Sequence, residues 1–146
     1  MGEGRTLMRW YLDSSVALDV ALRPLGSSAS WMKTELAAGH EFASSGLLKL
    51  ETVRVLRREG LAIRSAGHVL NNVSFFGIDD GVLRFAAALE PHIKSLDAIH
   101  LATCSLLGTG VALVSHDQQM LTVAEELGLD VHDPLCPDAH FAGGPR

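Results

Sequence analysis

The stretch Ser95-Leu96-Asp97-Ala98-Ile99-His100-Leu101-Ala102-Thr103-Cys104 constrains this chain more than any other. Read as a helix, it carries Leu96, Ala98, Ile99, Leu101 and Ala102, with Leu106 and Leu107 just beyond, and leaves no broad polar face. Such a helix belongs in an interior, so the rest of the chain must cover it. Asp97 falls in its first turn, where exposed N–H groups and the positive end of the helix dipole favour an ionised carboxylate. A carboxylate at that place is either a local cap or a ligand for something positive, and the other acids of the chain bear on the choice.

The 146 residues suffice for one domain with a substantial core and hardly for two, and 47% of them are hydrophobic, as in a compact fold. Net charge is −5, so no global positive field advertises nucleic-acid binding. Lys49, Arg54, Arg57, Arg58 and Arg64 nevertheless crowd one short span, five of the twelve Lys and Arg residues. They form either a solvated helix face or a local phosphate-binding strip. Two cysteines, Cys104 and Cys136, make no disulfide framework, and Cys104 reads as an apolar filler of the buried helix. The longest apolar run, Leu101 to Val114, is interrupted by Ser105, Gly108, Thr109 and Gly110 and is no membrane span. No signal peptide is read before the first strand, so a cytoplasmic setting is expected. Residues 1–7 read as a polar, Gly-rich N-terminal extension, 8–134 as the domain and 135–146 as a loose tail.

Met8 to Leu12 is a strand candidate, followed by a helix from about Ser15 to Ala21 with a serine at its N-cap. After a turn-rich loop from Pro24 to Ser30, a helix runs to Ala38 and stops at Gly39. Glu41 to Ala43 is a brief strand, and Ser44-Ser45 caps a long helix ending near Glu59. Ile63 to Asn71 reads as a helix, Val73 to Ile78 as a strand, and Asp79-Asp80 opens a helix that ends before Pro91. The buried helix comes next, then Val111 to Val114, an apolar run suited to a strand covered on both faces. Asp117 opens a helix to Leu127, and Leu129 to His132 is a last strand. Alternating strands and helices predict an α/β domain with a mainly parallel sheet. In such sheets functional groups gather beyond the carboxyl ends of the strands, where Asp13 and Asp117 stand.

Glu51 is different, because it borders the apolar stripe of the long helix and needs a compensator. Arg54, three residues on, could pair with it; a metal ion is the other possibility. Asp13, Glu51, Asp97 and Asp117 thus come from four separate segments, each at an element end or a core border. Converging carboxylates repel one another unless a cation lies between them, and hard divalent ions such as Mg²⁺ and Mn²⁺ prefer oxygen ligands.

Taken together, Tyr11-Leu12-Asp13-Ser14-Ser15-Val16-Ala17-Leu18, Glu51 within Leu50-Glu51-Thr52-Val53-Arg54, Ser95-Leu96-Asp97-Ala98-Ile99-His100-Leu101-Ala102 and Val114-Ser115-His116-Asp117 resemble the ordered motifs of PIN-domain ribonucleases. The likeness is greatest to the VapC-type toxins of bacterial toxin–antitoxin pairs, and it covers about Met8 to Pro134. It implies a three-layer α/β/α domain and a metal-dependent endoribonuclease in which Asp13, Glu51, Asp97 and Asp117 hold Mg²⁺ or Mn²⁺. It also implies supporting hydroxyls at Ser14 and Ser115, an RNA substrate, a homodimer and a VapB-type antitoxin. Lys49, Arg54, Arg57 and Arg58 are the candidate RNA contacts. Some relatives carry a further acid where this chain has Gln119, which bears on a second metal position.

His100 matches the family helix and reads as a packed or hydrogen-bonded residue. A zinc site from His116, His132, Cys136 and Cys104 lacks any close ligand pair. Ser15 occupies the place of the second aspartate of a two-aspartate phosphatase, and neither a Walker-type loop nor a Gly-x-Gly-x-x-Gly follows the first strand. A housekeeping PIN nuclease and a non-catalytic PIN-like binding module remain as alternatives, the second disfavoured by retention of all four acids.

Overall fold

The computed structural model describes residues 7–136. The expected extension and tail fall mostly outside this range. Five strands form one sheet, β1 (Arg9–Leu12), β2 (Glu41–Ser45), β3 (Val73–Phe76), β4 (Val111–Val114) and β5 (Asp130–His132), in the order β3-β2-β1-β4-β5. All four pairings are parallel, so the sheet is wholly and not just mainly parallel. The chain leaves β1 toward β2 and β3, then returns to the other side of β1 with β4 and β5. The reversal between β1 and β4 is where α/β sheets open a crevice beyond their carboxyl ends.

The helices among the described residues are α1 (Ser14–Leu22), α2 (Ser27–Ala37), α3 (Gly46–Arg58), α4 (Gly67–Leu70), α5 (Asp80–Ala88), α6 (Ser95–Leu106) and α7 (Gln118–Glu126). They cover both faces of the sheet in a three-layer α/β/α sandwich. Strand alternation sets the two cores. Leu12, Val114 and Phe42 pack with Val16, Val20, Met32, Leu48 and Leu56 on one face. Tyr11, Leu113 and Val111 pack with Leu101, Cys104, Met120 and Val123 on the other. The buried helix of the sequence is α6, and Leu101 on it is fully enclosed. Truncating such a leucine to alanine costs roughly 2–5 kcal/mol. Burial pushes the Cys104 thiol up to about 12, in keeping with an inert filler.

Two expectations are corrected. The predicted helix from Ile63 to Asn71 is a 3₁₀ turn (Ile63–Ala66) followed by the single turn of α4, with Gly67 weakening a continuous helix at the join. The loop from Pro24 to Ser30 is shorter than read, because α2 already begins at Ser27.

Candidate active site

Asp13 directly follows β1 and is itself the N-cap of α1, accepting from the Val16 N–H at 3.3 Å; the serine cap expected there is displaced by it. With only 4% of its surface exposed, the carboxylate is held by two serines. Ser15 Oγ donates to Oδ1 at 2.6 Å and Ser115 Oγ to Oδ2 at 2.5 Å. Each hydroxyl in turn accepts a backbone N–H, Ser15 from His116 at 3.0 Å and Ser115 from Asp117 at 2.9 Å. Burial still raises the proton affinity of Asp13 above the ordinary carboxylate, the serine bonds and the Val16 N–H offsetting only part of it. The hydroxyl expected at Ser14 is therefore supplied by Ser15. Ser14, the first residue of α1, makes no side-chain hydrogen bond among the described residues, whereas Ser115 is placed as expected. Sequence reading missed Ser15; the signal lay in the preference of an aspartate for the cap itself, which shifts the hydroxyl by one residue.

Asp117 follows β4 and caps α7, accepting from Gln119 N at 2.9 Å and Met120 N at 3.3 Å through Oδ1 alone. Gln119 turns its side-chain amide to the carbonyl of His92 at 3.1 Å and so braces the loop before α6. Glu51, on α3, turns not to Arg54 but to His100: Oε1 lies 2.8 Å from His100 Nε2. On its far side His100 Nδ1 meets Tyr11 OH at 2.7 Å.

Asp97 is the third residue of α6, whose N-cap is Lys94, and it does not cap the helix. Among the described residues its carboxylate receives no hydrogen bond and no ion pair. Its proton affinity is raised, first by partial burial, then by the negative charges of Asp117 and Asp13, with Glu51 adding to them. The helix start was expected to favour ionisation; burial and repulsion outweigh it. All four predicted acids therefore share one electrostatic neighbourhood. The described residues contain no group of three His, Cys, Asp or Glu side chains already drawn together to hold a metal ion. The two observations agree, since like charges repel over longer distances than ligation spans and stay apart without a cation.

The donor set is all oxygen, and Asp13, Glu51 and Asp117 are oriented by protein donors that leave lone pairs free. This chemistry fits a hard divalent cation. The zinc assembly is ruled out by position among the described residues. His132 packs between Trp10 and Trp31, ring centroids 5.2 and 5.3 Å away, Cys104 is enclosed in α6, and His116 joins Asp19 and Asp133.

A parallel α/β/α sandwich with an acidic crevice where its strand order reverses defines the class. The PIN-domain family model matches residues 10–126, and the chain belongs to the PIN-domain family. Within it, the chain is of the VapC type. Ribonuclease VapC46 of Mycobacterium tuberculosis is 36% identical over 127 residues, covering 85% of this chain and 96% of that protein. Ribonuclease VapC35 of the same species is 35% identical over 136 residues with the same coverage. The fold is shared with VapBC2 from Rickettsia felis bound to a DNA fragment from its promoter (TM-score 0.66, 12% identity, 86% of this chain and 98% of that one). It is shared also with FitAB bound to the IR36 DNA fragment (TM-score 0.60, 14% identity, 90% and 99%). Among the described residues no helix is long and apolar enough to cross a membrane.

Proposed function

We propose that this chain is a Mg²⁺- or Mn²⁺-dependent endoribonuclease, the toxin of a VapBC-type pair, with Asp13, Glu51, Asp97 and Asp117 as metal-holding catalytic residues. The observation that carries the reading is Asp97: half-buried, without a protein donor, and repelled by three other acids. A bound divalent ion supplies the missing positive charge, an activated water and stabilisation of the leaving oxygen. Asp13 is held rigidly by Ser15 and Ser115, so its orientation does not depend on the ion. Ser14 has no assigned part beyond opening α1.

The RNA path can be narrowed on α3. At 3.6 residues per turn, Arg54 and Arg58 lie three and seven residues beyond Glu51 and share its flank, while Lys49 and Arg57 project from other sides. Arg54, Arg57 and Arg58 together line a surface recess of about 390 Å³. Arg54 and Arg58 are therefore assigned to phosphate contact beside the acids. Replacing both with alanine lowers the slope of log K against log salt by about 1.4 for single-stranded RNA. The pair Lys49→Ala with Arg57→Ala leaves it nearly unchanged; equal slopes for the two pairs would dissolve the assignment.

Partners follow from the same reading: an RNA substrate, a second copy of the chain and a VapB-type antitoxin. An anionic crevice suits an antitoxin arginine, whose planar fork binds a carboxylate with two hydrogen bonds. Inhibition by that route competes with metal, so raising Mn²⁺ weakens it. The deciding experiment sequences RNA ends after exposure to the wild type and to Asp97→Asn, with Mn²⁺ and after chelation. New ends arise only with wild type plus metal. Cleavage that survives chelation, or survives in Asp97→Asn, removes the proposal.

A further inference from the structure

Four elements meet in one buried line of hydrogen bonds that the acidic cluster alone does not require. The Ser45 N–H at the end of β2 donates to Tyr11 OH at 3.1 Å. Tyr11 OH lies 2.7 Å from His100 Nδ1, and His100 Nε2 lies 2.8 Å from Glu51 Oε1. His100 is wholly enclosed, while the side chain of Glu51 keeps 19% of its surface. We propose that Tyr11 and His100 are positioning residues that fix one oxygen of Glu51 and thereby aim the other at the metal centre.

The donors and acceptors allow one self-consistent neutral arrangement. An ionised Glu51 only accepts, so His100 must carry a proton on Nε2. Nδ1 of that neutral ring is then bare and needs a donor, which is the Tyr11 hydroxyl. Tyr11 is suited to the task because its oxygen already accepts from Ser45 and its own proton is free to give. Burial holds the phenol proton more firmly than usual. A glutamate on an outer helix has three side-chain torsions and would otherwise sample many orientations, so pinning one oxygen removes most of that freedom. His100 also lies one helical turn after Asp97, so α6 delivers one acid of the centre and the handle of another. In metal sites such outer partners typically change metal affinity 10–100-fold when removed.

The inference rests on the proposed metal centre, and its test separates the two. Mn²⁺ binding to the full-length protein is measured by calorimetry for wild type, His100→Leu, His100→Gln and Tyr11→Phe. His100→Leu should weaken binding about 10-fold or more. His100→Gln places an N–H near the old Nε2 and should recover most of the loss, as packing alone would not. Tyr11→Phe should fall between. In parallel, the nitrogen shifts of His100 in the metal-free wild type should show the proton on Nε2 and a bare Nδ1. Wild type that binds no Mn²⁺ overturns the metal centre. Wild type that binds while His100→Leu binds equally well, or a His100 found with its proton on Nδ1, overturns the positioning role alone.

Discussion

Around Ser115-His116-Asp117, two groups of carboxylates meet with opposite answers to the same electrostatic problem. On one side, His116 stands between Asp133 at 2.6 Å from Nδ1 and Asp19 at 3.1 Å from Nε2. Ser28 Oγ donates to Asp19 at 2.6 Å, and Arg23 reaches the other oxygen at 3.0 Å. Burial alone would raise the proton affinity of Asp19, but Ser28, Arg23 and His116 outweigh it and the carboxyl is held below the ordinary range. On the other side, Asp97 has acids for neighbours and is pushed the opposite way. The protein closes the first group with its own cation and leaves the second open. A charge that the fold takes care of itself is architecture; one left uncompensated at a crevice marks a place for something from outside.

The largest effect should come from breaking the closed group. His116→Ala leaves Asp19 and Asp133 facing each other with little solvent access. Removing one partner of such a buried assembly costs about 3 kcal/mol. Urea denaturation of the metal-free chain measures it, and a loss under about 1 kcal/mol would put the knot on a par with a surface ion pair. The same comparison in acid should shrink the difference. Asp19 is lowered, so its contribution is complete above the ordinary value of 3.8 and disappears as pH falls through its folded value below that. A His116→Ala penalty that stays constant down to full protonation would show packing and not charge at work.

Readability from sequence divides along the same line. Asp13, Asp97 and Asp117 could be located because each stands at the start of a helix, where local rules of capping and dipole apply. The parallel sheet was readable too, since Val111-Ala112-Leu113-Val114 has no polar face to give to solvent. The partners of these acids were a different matter. Arg54 was the obvious mate for Glu51 because it is close in sequence, yet the mate is His100, 49 residues away. Asp19, Asp133 and His116 are 97 and 17 residues apart along the chain, and no periodicity links them. Pairings of this kind exist only once the strands have brought the loops together. Ser15 was missed for a smaller reason, the one-residue shift that follows when an aspartate caps α1.

The smallest expected effect tests the open group, and its sign is the informative part. Asp97 is raised, so in the metal-free protein it binds its proton more tightly folded than unfolded. Between the ordinary value of 3.8 and its folded value, stability therefore falls as pH rises, and at neutral pH the full penalty remains. Asp97→Asn removes the charge, keeps the size and should raise the melting temperature of the metal-free chain at neutral pH. Below pH 3.8 both forms are uncharged and the difference should vanish. The helix start opposes the gain, because a carboxylate in a first turn is worth up to about 1 kcal/mol. The rise should accordingly be smaller than the loss in His116→Ala. Mn²⁺ then reverses the order: it should raise the melting temperature of the wild type, which has a charged ligand to offer, and do little for Asp97→Asn. A metal-free Asp97→Asn that melts lower than wild type would mean that Asp97 serves its own helix, and the contrast with His116 would collapse.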